Sequence, residues 1–222
     1  MPAIRWRRAR LAAARAETPT ARTLVFDVVD WPGHLPGQHV DVRLTAPDGY
    51  TAQRSYSLAT PGGVELTVEG LPDGEVSPYL VEELAVGDEI ELRGPVGGWF
   101  VWRPDTAPVL LVAGGSGIVP LMAMIRARRT AGSTTPFQLV YSVRTPADRY
   151  YGAELDRAEP GLTVTHLYTR VEPRRRIGKQ DLPGPGPDVF VCGPTGFVEA
   201  VADLLLDLGH DPARVRTERF GG

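Results

Sequence analysis

Residues 109–120 read Val-Leu-Leu-Val-Ala-Gly-Gly-Ser-Gly-Ile-Val-Pro. The apolar run at the start is typical of a strand that is buried on both faces of a parallel sheet. A glycine-rich turn follows, and then apolar residues at helical spacing. Glycines let the backbone approach a ligand closely, and the free N–H groups at a helix start attract an anion. The stretch predicts a strand, a phosphate-binding turn and a helix, with Gly115, Ser116, Gly117 and Pro120 at the phosphate.

This turn is not sufficient evidence by itself. The spacing Gly115-x-Gly117-x-x-Pro120 differs from the usual dinucleotide-binding pattern, which has glycine at the sixth position. The alternative is a glycine-tight connection that could occur in any α/β sheet. The rest of the chain has to decide between these two interpretations.

Strands and helices alternate through the second half of the chain. Residues 106–222 are therefore predicted to form an α/β nucleotide-binding domain with a five-stranded parallel sheet and right-handed crossovers. The predicted strands are residues 109–113, 137–143, 163–169, 188–192 and 215–220. The predicted helices are residues 118–129, 151–159 and 196–208.

The first half has short alternating runs separated by glycine and proline turns. This pattern predicts that residues 1–105 form an antiparallel six-stranded β-barrel with one helix. The runs that read as strands are residues 23–29, 38–44, 54–58, 64–68 and 89–93, and the helix is predicted at residues 77–84. A solvated strand edge is expected for the basic start of the chain, with a dock for an acidic partner protein as the alternative. Its arginines are Arg5, Arg7, Arg8 and Arg10.

Composition and charge restrict the class of protein. The chain has 222 residues, 42% apolar and 23% charged, as expected of a soluble globular protein. The net charge of −3 gives no reason to expect a nucleic-acid partner. No apolar run reaches the roughly 18 residues of a membrane span, and the start lacks the apolar segment of a signal peptide. We therefore expect a cytoplasmic monomer that binds neither nucleic acid nor membrane.

Cysteine and histidine usage restricts the chemistry. The single cysteine, Cys192, excludes an intramolecular disulfide and a four-cysteine iron–sulfur cluster. The four histidines show no metal-ligand spacing, so no metal site is predicted.

Six short motifs occur in a fixed order along the chain. They are Arg54-Ser55-Tyr56-Ser57, Gly74-Glu75-Val76-Ser77, Gly94-Pro95-x-Gly97 with Phe100, Gly115-x-Gly117-x-x-Pro120, Cys192-Gly193-Pro194 and Glu218-Arg219-Phe220. Together they resemble the ferredoxin–NADP reductase family of flavoproteins, over nearly the whole chain. The resemblance implies an FAD-binding barrel followed by an NAD(P)-binding domain.

The resemblance implies that the first motif, Arg54-Ser55-Tyr56-Ser57, binds the flavin. Arg54 can hold a phosphate with charge-assisted hydrogen bonds, and Ser55 belongs to the same segment. Tyr56 offers a ring to stack on the isoalloxazine and a hydroxyl for the ribityl chain. Ser57 would contact the flavin N5 edge, although strand alternation puts it on the face opposite to Tyr56. The alternatives are a surface arginine and a barrel-core tyrosine.

The second motif is implied to bind the flavin pyrophosphate. Gly74 opens the segment, and Val76 and Ser77 would present backbone N–H groups at a helix start. An ordinary helix cap is the other role of Ser77, and the two roles are compatible. After the strand at residues 64–68 the family often has a basic residue, whereas this chain has Glu69.

The resemblance also implies the catalytic residues. Ser57, Cys192 and Glu218 would shape the cleft where the nicotinamide meets the flavin, and none would attack covalently. Phe220 would close the flavin face. The alternatives are a small buried filler for Cys192 and a surface carboxylate for Glu218. The nucleotide contacts that follow Cys192 in the chain are Gly193 and Pro194.

The end of the second predicted α/β strand bears on the choice of nucleotide. A carboxylate here commonly binds the ribose 2′-hydroxyl of NAD, whereas an arginine suits a 2′-phosphate. Ser142, Arg144 and Arg149 cluster in the sequence, and the first acid is Asp148. The pattern favours NADPH, with NADH possible, and two solvated loop arginines are the alternative.

These expectations define a flavin-dependent NAD(P)H oxidoreductase. A hydride passes from NAD(P)H to FAD, and the electrons leave to a separate acceptor such as a ferredoxin, a haem protein or an oxygenase component. Three alternatives stay open. They are a reductase that treats flavin as a diffusing substrate, a protein that uses FMN, and a non-catalytic flavin-binding electron-transfer subunit.

Overall fold

The computed structural model of the chain describes residues 4–105 and 107–220. The first half forms a six-stranded antiparallel sheet in the spatial order β4-β3-β6-β1-β2-β5. Its strands are β1 (Trp6–Thr18), β2 (Ala21–Val28), β3 (His39–Thr45), β4 (Thr51–Ser57), β5 (Val64–Glu69) and β6 (Glu89–Val96). A bridge between Leu58 and Leu66 brings the two outer strands together, so the sheet closes towards a barrel.

The interior of this barrel confirms the alternating pattern that predicted it. Leu11, Leu24, Val42 and Leu92 come from four different strands and have no exposed surface. The neighbours of Leu11 and Leu92 along their strands are more exposed, because successive side chains point to opposite faces.

Two features of the barrel differ from the sequence-based expectation. Residues 6–18 form a full strand of 13 residues, although their arginines and alanines carry only a weak alternation of apolar side chains. The helix predicted at residues 77–84 is a short π-helical turn, Tyr79–Glu83, in which the Leu84 N–H donates to the Tyr79 carbonyl.

The second half forms a five-stranded parallel sheet in the order β11-β10-β7-β8-β9. Its strands are β7 (Val109–Gly114), β8 (Phe137–Val143), β9 (Leu162–Tyr168), β10 (Asp188–Pro194) and β11 (Val215–Phe220). The helices are α1 (Ile118–Thr130), α2 (Gly152–Leu155) and α3 (Thr195–Asp207). The helix predicted at residues 151–159 is thus reduced to one turn, and the other predicted elements of this half are present.

The connection between the two halves is part of the second core. The Phe100 ring meets Phe190 edge to face with centroids 5.5 Å apart, and the Trp102 ring meets Phe137 at 5.1 Å. The aromatic side chains that leave β6 therefore fix the barrel against the parallel sheet.

No helix in the described ranges is long and apolar enough to cross a membrane. These ranges also contain no group of three or more His, Cys, Asp or Glu residues that could hold a metal ion.

Candidate functional site

A cleft lies at the carboxyl ends of the parallel strands, where the barrel meets the sheet. Ligands of open α/β sheets bind at this edge, where the connecting loops diverge. The cleft is lined by the ends of β7, β8, β10 and β11, and on the barrel side by the β1–β2 turn and the end of β5. Lining residues from the two sides include Gly115, Ser116, Ser142, Arg144, Pro194, Phe220, Thr18, Thr20 and Glu69.

The glycine-rich turn has the geometry that a close-approaching ligand needs. Gly115 has φ of 54°, a value that side chains disfavour. A Cβ atom on Gly117 would lie 2.1 Å from the Cys192 carbonyl oxygen, so only glycine fits. No side chain caps the start of α1, where Pro120 is buried in the first turn. The Ile118 N–H already donates to the carbonyls of Gly115 and Ser116, so α1 continues from the glycine turn, and no side chain caps either of them.

The end of β10 and the neighbouring β11 bring two predicted catalytic residues together. Cys192 pairs with Glu218 in the parallel register. Burial raises the pKa of Glu218 to about 7. Its Oε2 atom is buried and has no hydrogen-bond partner among the described residues. Burial, and then the charge of Glu218, raises the pKa of the Cys192 thiol, which therefore stays neutral and is a poor nucleophile.

The third predicted catalytic residue comes from the barrel. Ser57 pairs with His39 across β3 and β4, and the His39 Nδ1 atom lies 3.9 Å from Glu218 Oε1. Burial lowers the pKa of His39, so near pH 7 this contact joins a neutral imidazole to the carboxyl group. His39 therefore contacts Glu218 across the two domains, and Ser57 lies beside it in the β3–β4 register.

In the flavin motif on β4, the Arg54 side chain lies at the surface, whereas the Tyr56 side chain packs on the barrel core. The Arg54 guanidinium is half exposed and donates to Glu75 Oε2 at 2.7 Å, while Glu75 Oε1 accepts from the Tyr50 hydroxyl at 2.5 Å. These two hydrogen bonds hold the pKa of Glu75 below its usual value. Tyr56 packs on the barrel core, and burial raises its pKa to about 12. Both predicted flavin contacts thus lie on the barrel wall, with Arg54 accessible to a phosphate.

Ser55 points elsewhere. Its hydroxyl donates to Asp41 Oδ1 at 2.6 Å, and the other oxygen of Asp41 accepts from Arg93 at 2.7 Å. The strand alternation that was predicted from the sequence explains this separation from Tyr56.

The predicted pyrophosphate segment precedes the π-helical turn. A Cβ atom on Gly74 would lie 2.7 Å from Ser77 Oγ, which accepts from the Leu71 N–H at 3.1 Å. The hydroxyl only accepts in this hydrogen bond, so both its own proton and the backbone N–H of Ser77 stay available as donors to a phosphate. Val76 has no exposed surface, and its side chain carries no polar group.

The nucleotide side of the cleft contains two of the three predicted residues. Ser142 and Arg144 both line it. The Asp148 Oδ2 atom accepts from the N–H and the hydroxyl of Thr145, at 2.9 and 2.7 Å, so that oxygen stabilises its own turn. Arg149 does not join them: its guanidinium donates to both oxygens of Asp156 and lines a different groove. The three-residue cluster expected from the sequence is therefore reduced to Ser142 and Arg144.

Phe220 lines the cleft beside Pro194, its register partner at the end of β10. The contributions of the barrel could not be found from local motifs, because Thr18, Thr20 and Glu69 approach the sheet only in the folded chain. His39 was likewise missed; its alternation with Val40 marks only a strand.

The chain thus combines a barrel that carries a half-exposed arginine, Arg54, with a parallel sheet whose glycine turn no side chain caps. Residues 10–101 match the oxidoreductase FAD-binding domain, and residues 111–203 match the oxidoreductase NAD-binding domain. The chain belongs to the ferredoxin–NADP reductase-like family.

Relatives with curated names are similar over most of this chain. The glycine betaine monooxygenase reductase subunit of Chromohalobacter salexigens is 33% identical over 92% of the chain and 61% of its own length. An NADPH oxidoreductase of Mycobacterium tuberculosis is 32% identical over 96% of the chain and 60% of its own length. The chain thus spans about 60% of the length of these relatives.

Solved structures confirm the two-domain fold. The flavohaem-like FAD/NAD-binding domain of nitric oxide dioxygenase from Vibrio cholerae superimposes with a TM-score of 0.88 at 25% identity, covering 97% of this chain and 99% of that one. A cytochrome P450 reductase from Amycolatopsis gives a TM-score of 0.85 at 25% identity, covering 98% and 70%.

Proposed function

We propose that this chain is an FAD-dependent NAD(P)H reductase that delivers electrons to a separate acceptor. The observation that carries the proposal is the 3.9 Å contact of the barrel residue His39 with Glu218, which pairs with Cys192 at the end of β10. Ser57 is the register partner of His39 on the neighbouring strand. FAD, when bound, accepts a hydride from NAD(P)H and releases the two electrons one at a time. The chain itself binds, aligns and excludes water.

The roles of the residues follow from where they lie. Arg54, Tyr56 and the backbone of Val76 and Ser77 hold the flavin against the barrel. The turn made by Gly115, Ser116 and Gly117, with Gly193 and Pro194 beside it, holds the pyrophosphate of the nicotinamide nucleotide. Phe220 covers the cleft from β11.

Glu218 and Cys192 set the polarity at the reacting edge. Both hold protons in their buried surroundings up to about neutral pH or above. A neutral Glu218 would place no negative charge beside a reduced flavin, and it would be able to donate a proton. The Ser57 hydroxyl supplies a hydrogen bond from the barrel side.

The acceptor is proposed as a separate protein. The relative from Chromohalobacter salexigens is named as a reductase subunit, and a Pseudomonas putida relative, 30% identical, as the electron-transfer component of a dioxygenase. The monomeric state and the cytoplasmic location stay predictions from the sequence.

The central test is anaerobic addition of NADPH to the FAD-reconstituted protein. Rapid loss of the flavin band near ~450 nm is expected, because the flavin is reduced in such sites. A flavin that NADPH and NADH both leave oxidised would instead identify a non-catalytic subunit. A flavin that exchanges freely during turnover would identify a flavin reductase, and extraction of FMN would correct the cofactor.

We further propose that the nucleotide is NADPH, held through Arg144. Arg144→Ala should raise the KM for NADPH roughly tenfold, the effect of losing one charge-assisted hydrogen bond, and leave the KM for NADH nearly unchanged. Steady-state kinetics with both nucleotides measures the two values. Arg149→Ala is the matched control: because Asp156 holds its guanidinium, no NADPH-specific change is expected. Equal effects of Arg144→Ala on both nucleotides would contradict the assignment.

A further inference from the structure

Glu69 is an acidic residue at the mouth of the nucleotide cleft that the proposed function does not use. It is the last residue of β5 and lines the cleft together with Ser142 and Arg144. Its position is fixed: it pairs with Ala21 in the β2–β5 register, and the next N–H, of Gly70, donates to the Thr20 carbonyl at 2.8 Å. The carboxylate is therefore presented from a rigid strand end.

The partner of this carboxylate is the arginine assigned to the nucleotide. Glu69 Oε1 lies 3.7 Å from Arg144 Nη2, so an ion pair crosses the cleft from the barrel to the parallel sheet. Arg144 is more than half exposed, whereas Glu69 is mostly buried, which leaves the arginine as the movable member. Tyr150 lies behind the pair: it is buried and lines the same cleft.

We propose that Glu69 is a specificity-determining residue that competes with the 2′-phosphate of the nucleotide for Arg144. This inference rests on the proposed role of Arg144 in the preceding subsection. A 2′-phosphate has to draw the Arg144 guanidinium away from Glu69 before it can bind it. A nucleotide with a free 2′-hydroxyl leaves the ion pair in place. Glu69 thus weakens the binding of NADPH but not of NADH. It therefore reduces the preference for NADPH over NADH that Arg144 creates.

The size of the effect follows from the exposure of the pair. Exposed ion pairs contribute about 0.2–1 kcal/mol, which corresponds to a change of up to about fivefold in a dissociation constant. Glu69→Gln keeps the shape of the side chain and removes its charge. The variant should therefore bind the phosphorylated nucleotide about two- to fivefold more tightly.

The experiment is isothermal titration of the FAD-reconstituted protein with two fragments, 2′,5′-ADP and 5′-AMP, which differ only in the 2′-phosphate. Glu69→Gln should lower the Kd for 2′,5′-ADP about two- to fivefold and leave the Kd for 5′-AMP unchanged. In the Arg144→Gln background the same substitution should have no effect on either ligand, because the contested guanidinium is gone. Glu83→Gln, which removes an exposed charge from the π-helical turn outside the cleft, should match the parent for both ligands.

Three results would overturn the inference. One is an unchanged Kd for 2′,5′-ADP in Glu69→Gln with a normal flavin spectrum. Another is an equal decrease of the Kd for 2′,5′-ADP and for 5′-AMP in Glu69→Gln. The third is tighter binding of 2′,5′-ADP by Glu69→Gln that persists in the Arg144→Gln background. That result would mean that Glu69 repels the phosphate directly and does not compete for Arg144. The proposed nucleotide site is tested separately, because it fails only if Arg144→Gln alone leaves the Kd for 2′,5′-ADP unchanged.

Discussion

The protonation of Glu218 makes the stability of the folded protein depend on pH. Burial raises its pKa from 4.5 to about 7, so the folded protein binds this proton more tightly than the unfolded chain does. For such a group the stability is fully present below about pH 4.5 and is lost as the pH rises to about 7. The loss amounts to at most about 3 kcal/mol, since one pKa unit corresponds to about 1.4 kcal/mol.

Glu218→Gln removes this pH-dependent loss of stability, because the amide of glutamine does not ionise. We expect the variant to equal the parent in free energy of unfolding near pH 4.5 and to exceed it by up to about 3 kcal/mol at pH 8. Urea unfolding at the two pH values measures the difference. His39 and Cys192, which face Glu218 from β3 and β10, are both neutral at pH 8, because burial lowers the pKa of His39 and raises that of Cys192. A difference independent of pH would show that folding does not raise the pKa of Glu218.

Single residues also show the limit of sequence-based prediction. Cys192, Glu218 and Ser57 could be selected because each lies in a recognisable motif. His39 and Glu69 could not, because their partners, Glu218 and Arg144, are distant in the chain and meet them only across the domain boundary. Arg149 shows the reverse case: it is near Arg144 in the sequence, but Asp156 holds it elsewhere.

The strand–turn–helix unit formed by β7, Gly115–Gly117 and α1 depends on close backbone contact. Gly117→Ala would place a methyl group 2.1 Å from the Cys192 carbonyl oxygen and 2.4 Å from its carbon, so backbone has to move. We expect a loss of about 1–3 kcal/mol in the free energy of unfolding, as for an overpacked core, together with weaker nucleotide binding. Chemical denaturation and titration with NADP⁺ measure these two effects.

Gly196→Ala is the control for that substitution. Gly196 lies in the first turn of α3, and no neighbouring atom lies within 4 Å of the position that an added methyl group would take. The change should therefore be neutral or stabilise the fold by up to about 1 kcal/mol. Similar losses at both glycines would contradict the packing argument.

Elements were predictable where burial leaves a strong pattern. The apolar runs of β7 and β10 are buried along almost their whole length, as a central parallel strand requires. β1 was missed because only Ala9 and Leu11 are buried among its 13 residues. The helix at residues 77–84 was predicted too long because its periodicity does not distinguish an α-helix from a π-helical turn that starts after Pro78.

The relation of the two domains is fixed by a network of charges that crosses between them. Arg126 of α1 donates to Glu65 of the barrel and to Glu154 of α2, each at 2.7 Å, and also to the Ala59 carbonyl at 3.0 Å. A second contact joins Glu17 of β1 to the Tyr151 N–H at 2.9 Å. Sequence patterns predicted the two domains, but pairwise contacts of this kind leave no periodic signal.

Arg126→Gln should destabilise the molecule by about 2 kcal/mol, because Glu65 and Glu154 lie in a poorly solvated site and each keeps only one arginine, Arg15 and Arg129 respectively. Arg174→Gln is the matched control: its ion pair with Glu172 is exposed on both sides, so a change below about 1 kcal/mol is expected. Urea unfolding of both variants measures the two free energies. Equal losses would show that the network contributes no more than a surface pair.

β11, which carries Glu218 and Phe220, lies at the side of the parallel sheet, so we expect it to open locally more often than the whole protein unfolds. This strand pairs only with β10 and stands at one side of the parallel sheet, and elements held on one side open locally at a lower free energy than the centre. Glu218 and Phe220 belong to it, whereas the glycine turn follows the central strand β7. We therefore expect the strand that carries Glu218 and Phe220 to open and close many times while the glycine turn stays folded.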